Sequence, residues 1–327
     1  MNLYARIRPL LPTEARVLAR RVRRLPERRI VRRNLHLSPS LTHSRTRRGS
    51  VWGVAMMHNE ADTARHVVEH MLAQDVDAIL VSDNNSTDET PDVLRSLSES
   101  HPVHVVQDHL TAYHQATKMT ILADVARRCG ADWIVPFDAD ELWFAGEQSV
   151  GSLLRRCDAT VVTAEIHNVF PGPDDDADEP DPFLRLRHVD PLIDPVHKIA
   201  FRSHPLAEVD MGNQDVFRRG PRAGGLFIAH YPWRSFEQMA GKLRHGRQAM
   251  AATSMSDDHC YHWRIGGTWS DEQIARTWDD LRAGRFVAEL SWSPLGTPSP
   301  ASPGTASTWA DIAAVIGPPS LGEAVGF

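Results

Sequence analysis

Two acidic clusters hold the residues best suited to chemistry. They are Val81-Ser82-Asp83-Asn84-Asn85-Ser86-Thr87-Asp88 and Phe137-Asp138-Ala139-Asp140-Glu141. Each follows a short apolar run, Ala78-Ile79-Leu80-Val81 and Trp133-Ile134-Val135-Pro136-Phe137, that reads as a buried strand. Carboxylates at the carboxyl ends of parallel strands sit where open α/β sheets bind ligands. Asp138 and Asp140 lie one residue apart, so they repel each other unless a cation or hydrogen-bond donors compensate. A hard divalent ion held by one or two carboxylates plus substrate phosphates meets that need. The pattern predicts a site for a metal-bound, phosphorylated ligand.

Other residues could serve the same site. In Met57-His58-Asn59-Glu60-Ala61-Asp62, Glu60 could accept from a base or ribose, or simply favour the N-terminus of a helix that Asp62 caps. Asp83 could accept from ribose hydroxyls or a nucleobase, while Ser86, Thr87 and Asp88 suit a polar turn and helix start. Glu141 could orient the site from behind or be exposed. Lys118 could reach a phosphate or be a solvated helix lysine. His230 could complete a metal site begun by carboxylates, or be structural. Arg234, Lys242 and Arg244 could neutralise a diphosphate, and Trp233 could stack on a sugar face.

The elements that must position these residues alternate. Strands are predicted at 51–57, 78–82, 103–106 and 133–137. Between them come a helix with Val67, Val68, Met71 and Leu72 on one face, a helix with Pro91 in its first turn, and a longer helix over 114–129. This alternation predicts an α/β fold with a mostly parallel central sheet and right-handed crossovers. Further strands are predicted at 160–166, 198–202 and 226–229, and a helix from 235 or 236 to about 252. The Pro- and Asp-rich segment 171–182 reads as an open, solvated loop. The predicted organisation is a basic arm over 1–48, partly helical or flexible, one domain over 49–290, and a flexible Pro/Ser-rich tail over 291–327.

The 327 residues carry a net charge of −6, which hides an asymmetry. Residues 1–48 contain 14 Arg, no Lys and only Glu14 and Glu27 as acids, a net +12 that leaves −18 on the remainder. Such an arm suits an anionic membrane surface, and Leu10, Leu11, Val17, Leu18, Val22 and Leu25 give it apolar helical spacing. Non-specific nucleic-acid binding, or docking on the acidic body, would also use this charge. The widely spaced Cys129, Cys157 and Cys260 form neither a metal pattern nor a disulfide framework. With no long apolar run and no apolar leader, the expected location is cytoplasmic, peripheral at the inner face of the membrane if the arm binds lipid.

Taken together, His58-Asn59-Glu60-Ala61, Asp83-Asn84-Asn85-Ser86-Thr87-Asp88-Glu89-Thr90, Phe137-Asp138-Ala139-Asp140-Glu141-Leu142 and His230-Tyr231-Pro232-Trp233-Arg234-Ser235 resemble the family 2 (family-2-like) glycosyltransferases. The resemblance covers 51–145 firmly and 195–250 more thinly. It implies a Rossmann-like, three-layer GT-A fold, a nucleotide-sugar donor, Mn²⁺ or Mg²⁺, and inversion at the anomeric centre. It also implies that Glu60 and Asp83 contact the nucleoside, Asp138 approaches the ribose and donor sugar, and Asp140 holds the metal, with His230 as a further ligand. Lys118 is a candidate for the donor phosphates. The acceptor hydroxyl needs a base. The Glu-Asp pair that supplies it in many relatives is not recognisable, and Asp215 is preferred over Asp194 and Glu165. The expected acceptor is a glycan, a lipid-linked sugar or a small molecule, as in cell-surface polysaccharide or glycolipid synthesis, with no specific nucleic acid as partner. Two alternatives compete: a degenerate relative acting as a carbohydrate-binding or scaffold protein, and a sugar nucleotidyltransferase. The absence of a glycine-rich basic loop after the first strand speaks against the latter.

Overall fold

The computed structural model describes residues 21–37, 41, 49–110, 112, 114–251, 261–317 and 320–321. The expectations for Leu10, Leu11, Val17, Leu18 and Cys260 lie outside the described residues. In chain order the strands are β1 (Leu35–Leu37), β2 (Val51–Met57), β3 (Ala78–Asp83), β4 (Val103–Asp108), β5 (Trp133–Phe137), β6 (Glu141–Ala145), β7 (Val161–Phe170), β8 (His188–Val189), β9 (Leu192–Ile193), β10 (His197–Arg202), β11 (Arg222–His230), β12 (Ser299–Pro300) and β13 (Ser320–Leu321).

The main sheet runs β1-β4-β3-β2-β5-β10-β7-β11-β6. Its centre, β4-β3-β2-β5, is parallel as predicted. β10 pairs antiparallel with both β5 and β7, and β6 pairs antiparallel with β11, so the sheet is mixed beyond β5. The chain starts in the middle at β2, moves outward through β3 to β4, and returns to place β5 on the other side of β2. The order therefore reverses between β2 and β5, and a crevice opens at their carboxyl ends.

The strand run Val51-Trp52-Gly53-Val54-Ala55 shows why the sheet is covered on both sides. Val51 and Ala55 face one buried cluster with Val67, Val68, Met71, Leu94 and Leu97 from the helices Ala64–Ala73 and Thr90–Ser100. Trp52 and Val54 face another with Met119, Leu122 and Val125 from the helix Gln115–Arg128. Alternation of side chains across a strand produces the three layers. Gly53 lets β5 lie close, since a Cβ there would meet the Phe137 ring at 2.9 Å.

Two segments outside the domain expected over 49–290 pack against it. Residues 21–37 of the basic arm dock on the body: the helix Leu25–Asn34 buries Val31, and β1 pairs antiparallel with β4. Arg28 and Arg21 reach the buried Glu208 at 3.2 and 3.4 Å. Residues 291–317, expected as a flexible tail, pack instead. Trp309, in the helix Trp309–Ile316, is buried and stacks on Phe227 with centroids 5.0 Å apart. Proline and serine content missed this segment because one indole and Ile312 suffice to anchor it. Among the described residues no helix is long and apolar enough to cross a membrane.

Candidate active site

The crevice is a cavity of about 1360 Å³. Its walls come from the loops after β2, β3 and β5, from the end of β11, and from the helix Phe236–Ala251. The first two loops are laced together by their own polar groups. Asn59, with φ 54°, donates its backbone N–H to Ser86 Oγ (3.0 Å) and accepts from Thr87 N (2.8 Å). Glu60 N donates to Thr90 Oγ1 (2.8 Å) and Ala61 N to Asp88 Oδ2 (3.2 Å). Ser86, Thr87 and Asp88 thus hold the turn, as the plainer reading expected.

Asp140 is the electrostatic centre. Its Oδ2 accepts from Lys242 Nζ at 2.8 Å and lies 3.7 Å from His230 Nε2 and 3.9 Å from Arg234 Nη1. Burial works against its charge, but Lys242, then His230 and Arg234, hold the carboxyl well below the usual range. Arg234, 2 % exposed, grips Glu60 Oε2 at 2.6 Å and Asp62 at 2.8 and 3.1 Å. Burial raises the Glu60 carboxyl above its ordinary value, against the pull of Arg234. Asp62 is therefore a partner of Arg234, while Thr63 stands at the N-cap of the helix Ala64–Ala73.

Asp138 forms a second charge group. Lys198, from β10, donates to Asp138 Oδ2 at 2.5 Å and pairs with Glu141 at 2.9 Å. Asn213 donates to Asp138 Oδ1 at 3.1 Å. Glu141 is fully buried and accepts from Asp138 N and from Trp143 Nε1, both at 3.1 Å. It stands behind Asp138, and burial raises its carboxyl against the pull of Lys198.

Of the residues predicted from sequence, Glu60, Asp138, Asp140 and His230 come together around the cavity. Three others stand elsewhere. Asp83 is buried, and its Oδ1 accepts from Ser86 N (3.1 Å), closing the turn. Lys118 is fully buried in an ion pair with Asp108 (2.6 Å) and donates to Asn84 Oδ1 (2.8 Å), so it reaches the cavity only through Asn84. Burial lowers its affinity for the proton, with Asp108 opposing. Asp215 pairs with Arg222 at 2.5 Å on the exposed surface and does not line the cavity. Of the three acids considered as base, only Asp194 lines it; Glu165 lies within β7, away from the cavity.

Sequence reasoning missed Lys198, Asn213 and Trp292. Lys198 interrupts an apolar strand, a signal that gains meaning only once β10 is known to lie beside β5. Trp292, rather than the fully buried Trp233, presents an aromatic ring to the cavity. Arg244 pairs with Asp271 outside it.

Residues 54–197 match the family model described as Glycosyl transferase family 2. This stretch is a family 2 glycosyltransferase domain. The match spans β2 to β9 and includes both acidic clusters, so the resemblance read from the motifs and the enzyme class hold. Among solved structures, the chain is similar to S. aureus TarS 1–349, with 11 % identity over 70 % of this chain and 73 % of that one (TM-score 0.33). The TarS 1–349 complex with UDP-GlcNAc gives 9 %, 67 %, 71 % and 0.37. The mannosyltransferase PcManGT from Pyrobaculum calidifontis, in complex with GDP-Man and Mn²⁺, gives 16 %, 83 %, 86 % and 0.36. No curated protein matches the chain.

Proposed function

We propose that the glycosyltransferase domain moves a sugar from a nucleoside diphosphate donor to a hydroxyl acceptor, with inversion. The observation that carries this reading is the gathering of Asp140, His230, Arg234 and Lys242 at one wall of a nucleotide-sized cavity. A leaving diphosphate needs its developing charge matched by fixed positive groups, and Arg234 and Lys242 supply two. The donor set also fits a divalent cation. Asp140 Oδ2 and His230 Nε2 lie 3.7 Å apart, a separation that one cation can bridge. Asp140 and His230 would hold Mn²⁺ or Mg²⁺, which supplies further charge on the diphosphate.

The nucleoside would lie over the β2 and β3 loops, against Glu60, Asn84 and Asn85. The donor sugar would lie towards Asp138, and Trp292 would offer an apolar ring face to a sugar. Asp194 replaces Asp215 as the proposed base: it takes the proton of the acceptor hydroxyl as that oxygen bonds to the anomeric carbon and the bond to the diphosphate breaks. The acceptor class follows the charge of the arm. The helix Leu25–Asn34 exposes Leu25 and Ile30 beside Arg29, Arg32 and Arg33, a face suited to anionic lipid. A membrane-associated glycan or lipid-linked acceptor on the cytoplasmic side is the reading this supports.

The test is a thermal-shift screen of the purified chain against UDP, GDP, CDP and dTDP, each with Mn²⁺ and with EDTA. A ligand that binds only the folded state stabilises it by roughly 2.7 kcal/mol at a hundred times its Kd. The expected result is a metal-dependent rise in Tm with one nucleotide. No shift with any of the four, in a folded sample, removes the donor site and leaves the carbohydrate-binding scaffold.

A further inference from the structure

We infer that Asn168 is a positioning residue that fixes His230 in the tautomer whose Nε2 lone pair faces the cavity. The inference concerns the metal site just proposed and rests on that reading for its purpose, though not for its geometry. His230 ends β11 and is pinned from both sides, opposite Asn168 on β7 and Glu141 on β6. The ring is 6 % exposed, and Trp292 packs edge-on against it with centroids 5.2 Å apart.

The hydrogen-bond sequence leaves one consistent assignment. Asp194 Oδ2, a carboxylate oxygen, accepts from the Asn168 side chain at 2.9 Å, so the amide NH₂ of Asn168 points that way. Asn168 Oδ1 must then face His230 Nδ1, which lies 2.8 Å from it. An amide oxygen only accepts, so Nδ1 carries the proton and donates. The neutral imidazole therefore has its lone pair on Nε2, 3.7 Å from Asp140 Oδ2. That gap is too long for a hydrogen bond. It suits two acceptor atoms that share one cation. Val196 N donates to Asp194 Oδ1 at 2.9 Å, which anchors the far end. A histidine ligand whose second nitrogen donates to a fixed acceptor is held in orientation and made more basic.

The experiment uses the full chain, free of metal and nucleotide, with ¹⁵N-labelled histidine. Long-range ¹H–¹⁵N spectra at alkaline pH report the tautomer, and the His230 signals are assigned by their loss in H230Q. The expected pattern is a protonated Nδ1 and an unprotonated Nε2. Asn168→Leu removes the acceptor, so the Nε2–H form should appear and the Kd for Mn²⁺ alone, from electron paramagnetic resonance, should weaken by roughly 10- to 100-fold. Asn168→Asp keeps an acceptor for Nδ1 and should keep the wild-type tautomer. A wild-type spectrum with Nε2 protonated overturns the inference, as does an Asn168→Leu protein with unchanged tautomer and Mn²⁺ affinity. Where Asn168→Leu does not fold, the wild-type and Asn168→Asp spectra decide. The expected tautomer in a protein that does not bind Mn²⁺ would support the positioning role and sink the metal reading alone.

Discussion

The Lys242 ammonium lies 2.8 Å from Asp140 Oδ2 and 5.0 Å from the centroid of the Trp292 ring. A lysine from a helix late in the chain thus sits on the carboxylate of an early loop, at the wall where a diphosphate would bind. Lys242→Met keeps the stem but removes the charge. The expected outcome is a loss of about 10²- to 10³-fold in kcat, the usual cost of deleting one charge-stabilising donor. Steady-state kinetics with donor varied checks this; wild-type turnover would make Lys242 a structural tether.

Arg234 joins three acids, and its removal should be felt in stability as well as binding. Arg234→Ala would leave Glu60 and Asp62 without their partner, at a cost of about 3 kcal/mol. Urea unfolding measures it. Arg234→Lys should lose less in stability, yet one ammonium cannot reproduce the forked grip on both Glu60 and Asp62. Adding Glu60→Gln to Arg234→Ala should recover part of the loss, because a neutral amide tolerates the site better than an unpaired carboxylate.

The parallel centre of the sheet was legible because its strands are buried on both faces and read as unbroken apolar runs, as in Ala78-Ile79-Leu80-Val81. The Asp138-Ala139-Asp140 loop was legible from its place after such a run. What stayed hidden depends on partners far along the chain. By sequence alone Lys118 is open to a phosphate or to solvent, and Asp108, ten residues earlier, decides for neither. Asp215 and Asp194 look alike in sequence; an exposed Arg222 beside one and the cavity beside the other separate them. The strand predicted at 160–166 extends to 170, and the extra residues bring Asn168 to His230.

His70 gives the fold an acid limit. Its Nε2 donates to the Trp143 carbonyl at 2.8 Å, and the ring lies edge-on to Phe144. Burial lowers its pKa to about 4, with the Trp143 bond opposing and His66 adding slightly. The unfolded chain therefore binds more protons between its ordinary value, about 6.5, and 4. Stability is fully present above pH 6.5 and falls as the pH drops through that window, by on the order of 3 kcal/mol from this group. His70→Gln keeps a donor for the carbonyl and should flatten that part of the curve. Denaturation midpoints from pH 4 to 7 provide the check, and an unchanged slope in the variant would assign the acid sensitivity elsewhere.

The choice of base gives the sharpest contrast between sequence and structure. Asp194 faces the cavity with its side chain held by Asn168 and by Val196 N, whereas Asp215 is turned to Arg222. Asp194→Asn keeps a side-chain oxygen to accept from Asn168, so that bond survives, while the bond from Val196 N and the proton acceptor are lost. The expected result is a fall of about 10²- to 10⁴-fold in kcat, with the nucleotide-dependent thermal shift retained. Asp215→Asn removes only a surface ion pair, worth about 1 kcal/mol or less, and should leave turnover within about twofold because its carboxylate lies off the cavity. A reversed result, with Asp215→Asn inactive and Asp194→Asn active, would mean that the acceptor approaches from the Arg222 side and that the cavity described here binds the donor alone.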